Sequence, residues 1–151
     1  MSNDNPSVLV VEDDRVIADG LVRELSGHGY DVRLARTGAD ALQLARDETP
    51  DAVLLDLGLP DLDGVHVCRS LRRMLPDVPI VILTGFEDER LASKAMQSGA
   101  QDYLSKHGLC ARHLARTIRY AIERKHWEET VRVREERINR IEKMEAIGRL
   151  S

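Results

Sequence analysis

The sequence predicts an α/β fold: a five-stranded parallel sheet, doubly wound with helices on both faces, followed by one long helix. Three observations predict it. Short apolar runs bounded by breakers recur along the chain, as in strands buried on both faces. They alternate five times with segments of helical periodicity, the pattern of a parallel sheet with right-handed crossovers. From Ala111 to Leu150 there is no Pro, and the only Gly is Gly148, so the last segment reads as one unbroken helix.

Each element has its own signal. Ser7-Val8-Leu9-Val10-Val11 is the first strand and runs into Glu12-Asp13-Asp14. Val16, Ile17, Leu21, Val22 and Leu25 follow at helical spacing, with Gly27 and Gly29 as a stop. Tyr30 to Leu34 alternates apolar and polar residues, which suits a strand nearer an edge. Thr37 can cap a helix carrying Ala41, Leu42, Leu44 and Ala45. The third strand is Ala52-Val53-Leu54-Leu55, ending in Asp56 and followed by Gly58 and Pro60. Asp63-Gly64 turns the chain into a helix from Val65 to Met74. Pro79 to Thr84 is the fourth strand, Asp88 to Ser98 a helix ending at Gly99, and Asp102 to Lys106 a short fifth strand.

The composition narrows the function classes. At 42% hydrophobic and 32% charged, the 151 residues can build a globular core, and with 3% aromatics that core is aliphatic. No apolar run reaches the roughly 20 residues a membrane span requires, and Met1 to Pro6 has none of the regions of a signal peptide. Two distant cysteines, Cys68 and Cys110, fit ordinary thiols in a reducing cytoplasm. His66, His107 and His113 read as solvent-facing. The net charge of −4 hides an asymmetry: residues 112–151 carry 11 Lys/Arg against 7 Asp/Glu, leaving −8 on residues 1–111. The basic residues of the tail alternate with acids, so a solvated helix face explains them better than nucleic-acid binding.

The chemistry gathers at strand ends. In a parallel sheet the carboxyl ends of all strands share one rim, which brings together Glu12, Asp13, Asp14, Asp56, Thr84 and Lys106. Taken singly, Asp13 or Asp14 reads equally as a helix cap, Lys106 as a surface lysine, and Thr84 as a β-branched strand residue. Together they make a cleft of repelling carboxylates that calls for a cation. Oxygen ligands without Cys or His suit Mg²⁺. Beside Mg²⁺, Lys106 and the Thr84 hydroxyl, Asp56 reads as a phosphoryl acceptor.

These residues carry a resemblance. Val10-Val11-Glu12-Asp13-Asp14, Leu54 to Gly64, Leu83-Thr84-Gly85 and Gly99 to Lys106 resemble the receiver domain of two-component response regulators, with its flavodoxin-like fold, over about residues 6–125. The resemblance implies that Asp56 takes a phosphoryl group from the phosphohistidine of a kinase or phosphotransfer protein. It implies that Mg²⁺ binds Asp13, Asp56 and the Gly58 carbonyl, with Glu12 acting through water, and that Asp14 stands just past the metal pair. Lys106 would hold the phosphoryl group, and Thr84 and Tyr103 would form a hydroxyl–aromatic switch. Where that family usually has Pro after the lysine, this chain has Lys106-His107-Gly108, so a trans peptide and a looser turn are expected.

The tail has its own pattern. Trp127, Val131, Arg134, Ile138 and Ile141 follow 4-3-4-3 spacing, an a/d seam with one basic interruption. Glu128/Arg132, Glu136/Arg140 and Glu145/Arg149 stand as i,i+4 pairs in the favourable order. Residues 126–151 are therefore expected to form a helical linker and a parallel two-stranded coiled coil between two copies, leading to an output domain. Arg140 to Ser151 resembles the run that opens the dimerisation helix of sensor histidine kinases, whose phosphorylated histidine would lie a few residues beyond Ser151. The alternatives are a coiled-coil-linked cyclic-dinucleotide enzyme and a stand-alone dimeric response regulator. No kinase core lies within these residues, so the expected chemistry is transfer onto Asp56 and hydrolysis from it. An aspartyl-phosphate phosphatase is disfavoured because Gly58 stands where its second Asp is needed, and a DNA-binding regulator because no helix-turn-helix pattern follows residue 125.

Overall fold

A computed structural model of the chain describes residues 5–85, 89–106 and 111–150. Five strands, β1 (Ser7–Val11), β2 (Asp31–Ala35), β3 (Ala52–Asp56), β4 (Ile80–Thr84) and β5 (Asp102–Ser105), form one sheet in the order β2-β1-β3-β4-β5. All four pairings are parallel. Helices α1 (Arg15–Gly27), α2 (Gly38–Asp47), α3 (Gly64–Met74), α4 (Glu89–Gln97) and α5 (Ala111–Leu150) connect and extend it. This is the flavodoxin-like arrangement, and strand order reverses between β1 and β3, where open α/β sheets place their ligands.

Strand alternation sorts the core into two layers. Leu9, Val11, Val53, Leu55, Ile80 and Ile82 pack with Ala41, Ala45, Val67, Cys68, Leu71 and Ala95 from α2, α3 and α4. Their neighbours Val8, Val10, Ala52, Leu54, Val81 and Leu83 pack with Leu21, Leu25, Leu114, Ile118 and Ala121 from α1 and α5. The same period of two puts Glu12 and Asp56 on the α1/α5 side of the rim, and Thr84 and Tyr103 on the α4 side.

The elements fall within a residue or two of those expected. Lys106 lies just past β5, its N–H donating to the Thr84 carbonyl at 2.8 Å. The start of the fourth helix at Asp88, the turn at His107-Gly108 and Cys110 lie outside the described residues. Cys68 is buried, and His66 and His113 are exposed.

α5 is 40 residues long, or ~60 Å at 1.5 Å per residue. Its first turns bury Leu114, Ile118 and Ala121, whereas every side chain from His126 to Ala146 is exposed. The charge pairs within the helix there keep helical spacing but join partners other than the expected Glu128/Arg132. Glu128 pairs with Arg124 at 3.4 Å and Lys125 at 3.9 Å, while Arg132 reaches Asp77 at 3.7 Å in the turn after α3. A tertiary partner competes for Arg132, and Glu136 and Arg140 make no ion pair among the described residues. The Arg149 side chain of the third pair lies outside the description. Among the described residues no helix is long and apolar enough to cross a membrane.

Candidate functional site

β1 and β3 deliver the acids to one point. Glu12 follows β1 directly, and its N–H donates to the Ala35 carbonyl at 3.0 Å, which extends the ladder by one step. Asp56 closes β3, in register with Leu83 of β4. Carboxylate oxygens of Glu12, Asp13 and Asp56 all lie within 4.8 Å of one another, with Asp13 exposed and the other two buried. Asp14 is turned away from this group: it caps α1, accepting from the Ile17 N–H at 3.1 Å. The cap and the acidic pair are thus adjacent residues with separate tasks.

Lys106 crosses the rim to meet the acids. Its Nζ stands 2.9 Å from Asp56 Oδ1 and 3.3 Å from each Glu12 oxygen. The Gly58 N–H also donates to Asp56 Oδ1, at 3.2 Å. Both contacts fall on one oxygen of Asp56. Glu12, with no exposed surface, has its pKa pushed up to about 7, chiefly by burial and next by the charge of Asp56. Burial pulls the Lys106 ammonium down, but its hydrogen bond to Asp56 and the charges of Asp56 and Glu12 outweigh this and raise it.

Three carboxylates facing one ammonium leave two negative charges when all are ionised. Glu12 Oε2 is buried without a hydrogen bond, and its contact with Lys106 at 3.3 Å is an ion pair that the ammonium shares with Asp56. A hard divalent cation answers both deficits, and the all-oxygen donor set is the one Mg²⁺ takes.

Thr84 and Tyr103 lie apart from the acids. The Thr84 hydroxyl is buried and donates to the Leu104 carbonyl at 3.5 Å. Tyr103 is 55% exposed. Between them opens a cavity of about 700 Å³, also lined by Ala92, Ser93, Met96 and Gln97. α4 meets the core there through the small residues Ala92 and Ala95.

The loop between β3 and α3 is held closely. Asp63 caps α3 through the Val65 N–H at 2.9 Å, and a Cβ on Gly64 would sit 2.5 Å from the Leu57 backbone. Asp61 reaches across to α2 and accepts from the N–H groups of Gly38 at 2.8 Å and Ala39 at 3.1 Å. The sequence reading did not single out Asp61. Its partners lie more than 20 residues upstream, and no local spacing rule links them.

The response regulator receiver domain profile matches residues 8–118. The chain belongs to the response regulator receiver family. The receiver is 46% identical over 99 residues to response regulator MprA of Mycobacterium sp. (strain KMS), a match covering 66% of this chain and 43% of that protein. The chain thus spans less than half of the curated relatives it matches. Among solved structures, it resembles a receiver domain protein from Clostridium thermocellum, with a TM-score of 0.76 and 30% identity over 81% of this chain and 98% of that one. It also resembles the signal receiver domain of a modulated diguanylate cyclase from Desulfovibrio desulfuricans G20. There the TM-score is 0.74 with 35% identity, over 83% of this chain and 99% of that one.

Of the residues expected at the receiver's site, Glu12, Asp13, Asp56 and Lys106 stand together, and Gly58 joins them through its N–H. Members of this family take phosphate from histidine kinases and generally bind Mg²⁺ at an acidic pocket of this kind.

Proposed function

We propose that this receiver accepts a phosphoryl group on Asp56 from the phosphohistidine of a kinase or phosphotransfer protein. The observation that carries the reading is Lys106 Nζ at 2.9 Å from Asp56 Oδ1, inside a cluster of three acids. Asp13, Asp56 and the Gly58 carbonyl would hold Mg²⁺, with Glu12 acting through water, and the ion when bound supplies charge neutralisation at the phosphoryl oxygens. Asp56 Oδ2, the oxygen bonded by neither Lys106 nor the Gly58 N–H, attacks phosphorus. The P–O bond to Asp56 forms as the P–N bond breaks, and the donor imidazole keeps the electron pair and is protonated. Lys106 then binds a phosphoryl oxygen.

Phosphorylation adds about −1.5 to −2 charges and three strong acceptors. Thr84 exchanges its long bond to Leu104 for a phosphoryl oxygen, and Tyr103 turns from solvent into the cavity beside α4. The face made by α4, β5 and α5 thereby has two arrangements that a partner can distinguish.

The receiver proper spans residues 6–125, and residues 126–151 form a linker that pairs with a second copy as a parallel coiled coil. The exposure of Trp127 (68%), Val131, Ile138 and Ile141 on an isolated helix supports this, because such a stripe is stable when covered. The output is a histidine kinase core, in keeping with the resemblance of Arg140 to Ser151 to a kinase dimerisation helix. A cyclic-dinucleotide enzyme is the second reading, favoured by the likeness to the receiver of a modulated diguanylate cyclase.

The test is intact-mass analysis after incubation with acetyl phosphate, with Mg²⁺ or with EDTA. One phosphoryl group is expected on the wild-type chain with Mg²⁺ and none with EDTA. Equal labelling in EDTA overturns the role given to the acids.

A further inference from the structure

Asp61 is an exposed carboxylate with an unusual pair of partners. Its Oδ1 accepts from the Gly38 N–H at 2.8 Å and its Oδ2 from the Ala39 N–H at 3.1 Å. These are the first two orphan amides of α2, and the next, from Asp40, is met by the N-cap Thr37 at 3.1 Å. One helix end therefore has two capping residues, one local and one brought in by the β3–α3 loop. The two amides also hold the Asp61 carboxyl below the usual carboxylate range.

The loop has little other freedom. A Cβ on Gly38 would lie 2.8 Å from Val67 Cγ2 of α3 and 3.0 Å from Leu62 Cδ1 of the loop, so α2 already packs closely on both. The base of the loop is closed where Gly64 abuts the Leu57 backbone. Gly58, whose N–H meets Asp56, stands between that base and Asp61. Among the described residues, Asp61 makes the loop's side-chain hydrogen bonds to α2, while Asp63 bonds α3 through the Val65 N–H.

We propose that Asp61 is a positioning residue for the metal and phosphoryl site, holding Gly58 at its working distance from Asp56 by pinning the β3–α3 loop to the N-terminus of α2. The inference rests on the reading that Gly58 and Asp56 share a bound Mg²⁺. Residues that orient metal ligands from behind typically influence affinity by about 10–100-fold. The arrangement has a second consequence: a displacement of α2 is passed to the loop beside the acceptor through the Asp61 carboxylate as well as through the packing of Leu62 against Gly38.

Four proteins separate positioning from helix capping: wild type, Asp61→Ala, Asp61→Asn and Thr37→Ala, each titrated with Mg²⁺ while the Gly58 amide is followed by NMR. Asp61→Ala and Asp61→Asn lose the same charge, but Asn keeps an oxygen acceptor, so the difference between them reports geometry. The expected result is about tenfold weaker Mg²⁺ binding in Asp61→Ala with a displaced Gly58 amide signal, and partial recovery in Asp61→Asn. Thr37→Ala, which removes a cap from the same helix end without touching the loop, is expected to bind Mg²⁺ like the wild type. Wild-type binding in Asp61→Ala overturns the inference. So does equal weakening in Thr37→Ala, since helix stability would then be the cause. A wild-type chain that binds no Mg²⁺ overturns the reading of the site itself, and is told apart by the first titration alone.

Discussion

Lys106 Nζ lies 2.9 Å from Asp56 Oδ1, and the same ammonium stands 3.3 Å from the buried Glu12. One cation at the end of β5 thus compensates acids from the ends of β1 and β3. Because a buried carboxylate is costly without a partner, this relationship bears on the stability of the metal-free domain and, under the proposed function, on its readiness for a phosphoryl group.

Lys106→Met leaves Glu12 and Asp56 facing each other without compensation. Metal-free protein is expected to lose about 2 kcal/mol, a value below that for a wholly buried pair because Lys106 is partly exposed. Urea unfolding in EDTA measures this, and acetyl phosphate labelling is expected to fall in the same variant.

Glu12 gives the metal-free protein a pH dependence of definite sign. Its folded-state value of about 7 lies above the ordinary 4.5, so the protonated form favours folding. This stability is fully present below about pH 4.5 and is lost as the pH rises through about 7, amounting to at most about 3 kcal/mol. Urea unfolding in EDTA at about pH 5 and pH 8 is expected to show this loss in the wild type. Glu12→Gln, which does not titrate, is expected to flatten it.

Gly64 and Gly38 separate two kinds of close approach. A Cβ at Gly64 meets the Leu57 backbone at 2.5 Å and has nothing soft to push, so Gly64→Ala is expected to cost about 3 kcal/mol and disturb Mg²⁺ binding. At Gly38 the obstacles are the side chains of Val67 and Leu62, so Gly38→Ala is expected to cost about 1 kcal/mol. Denaturant unfolding of the two variants gives the order.

Ile138→Glu places a charge in the exposed stripe of α5, beyond the globular part. Light scattering is expected to show a dimer for the wild type and a monomer for the variant, with urea unfolding of the receiver unchanged. A wild-type monomer at high concentration contradicts the coiled coil.

The sheet was legible in the sequence because each buried strand is a bare apolar run, with alternate residues feeding opposite layers. The gathering of Glu12, Asp13, Asp56 and Lys106 was legible for the same reason, since parallel topology fixes which ends share a rim. What was hidden depends on tertiary partners. Asp61 and Asp63 stand two residues apart, yet one caps its own helix and the other caps α2. Arg132 satisfies an i,i+4 rule on paper, yet it pairs with Asp77 because the helix passes the turn after α3. The 55% exposure of Tyr103 was likewise unreadable, because the short strand β5 gives no sign of the cavity beside α4.

The most direct measurement locates the phosphoryl group. Labelling with acetyl phosphate and Mg²⁺, followed by borohydride reduction and peptide mass mapping, converts a phosphorylated aspartate to homoserine. Homoserine at position 56 in the wild type, and at no position in Asp56→Asn, is the predicted result. Conversion at another acid, or none under conditions that label other receivers, contradicts the account.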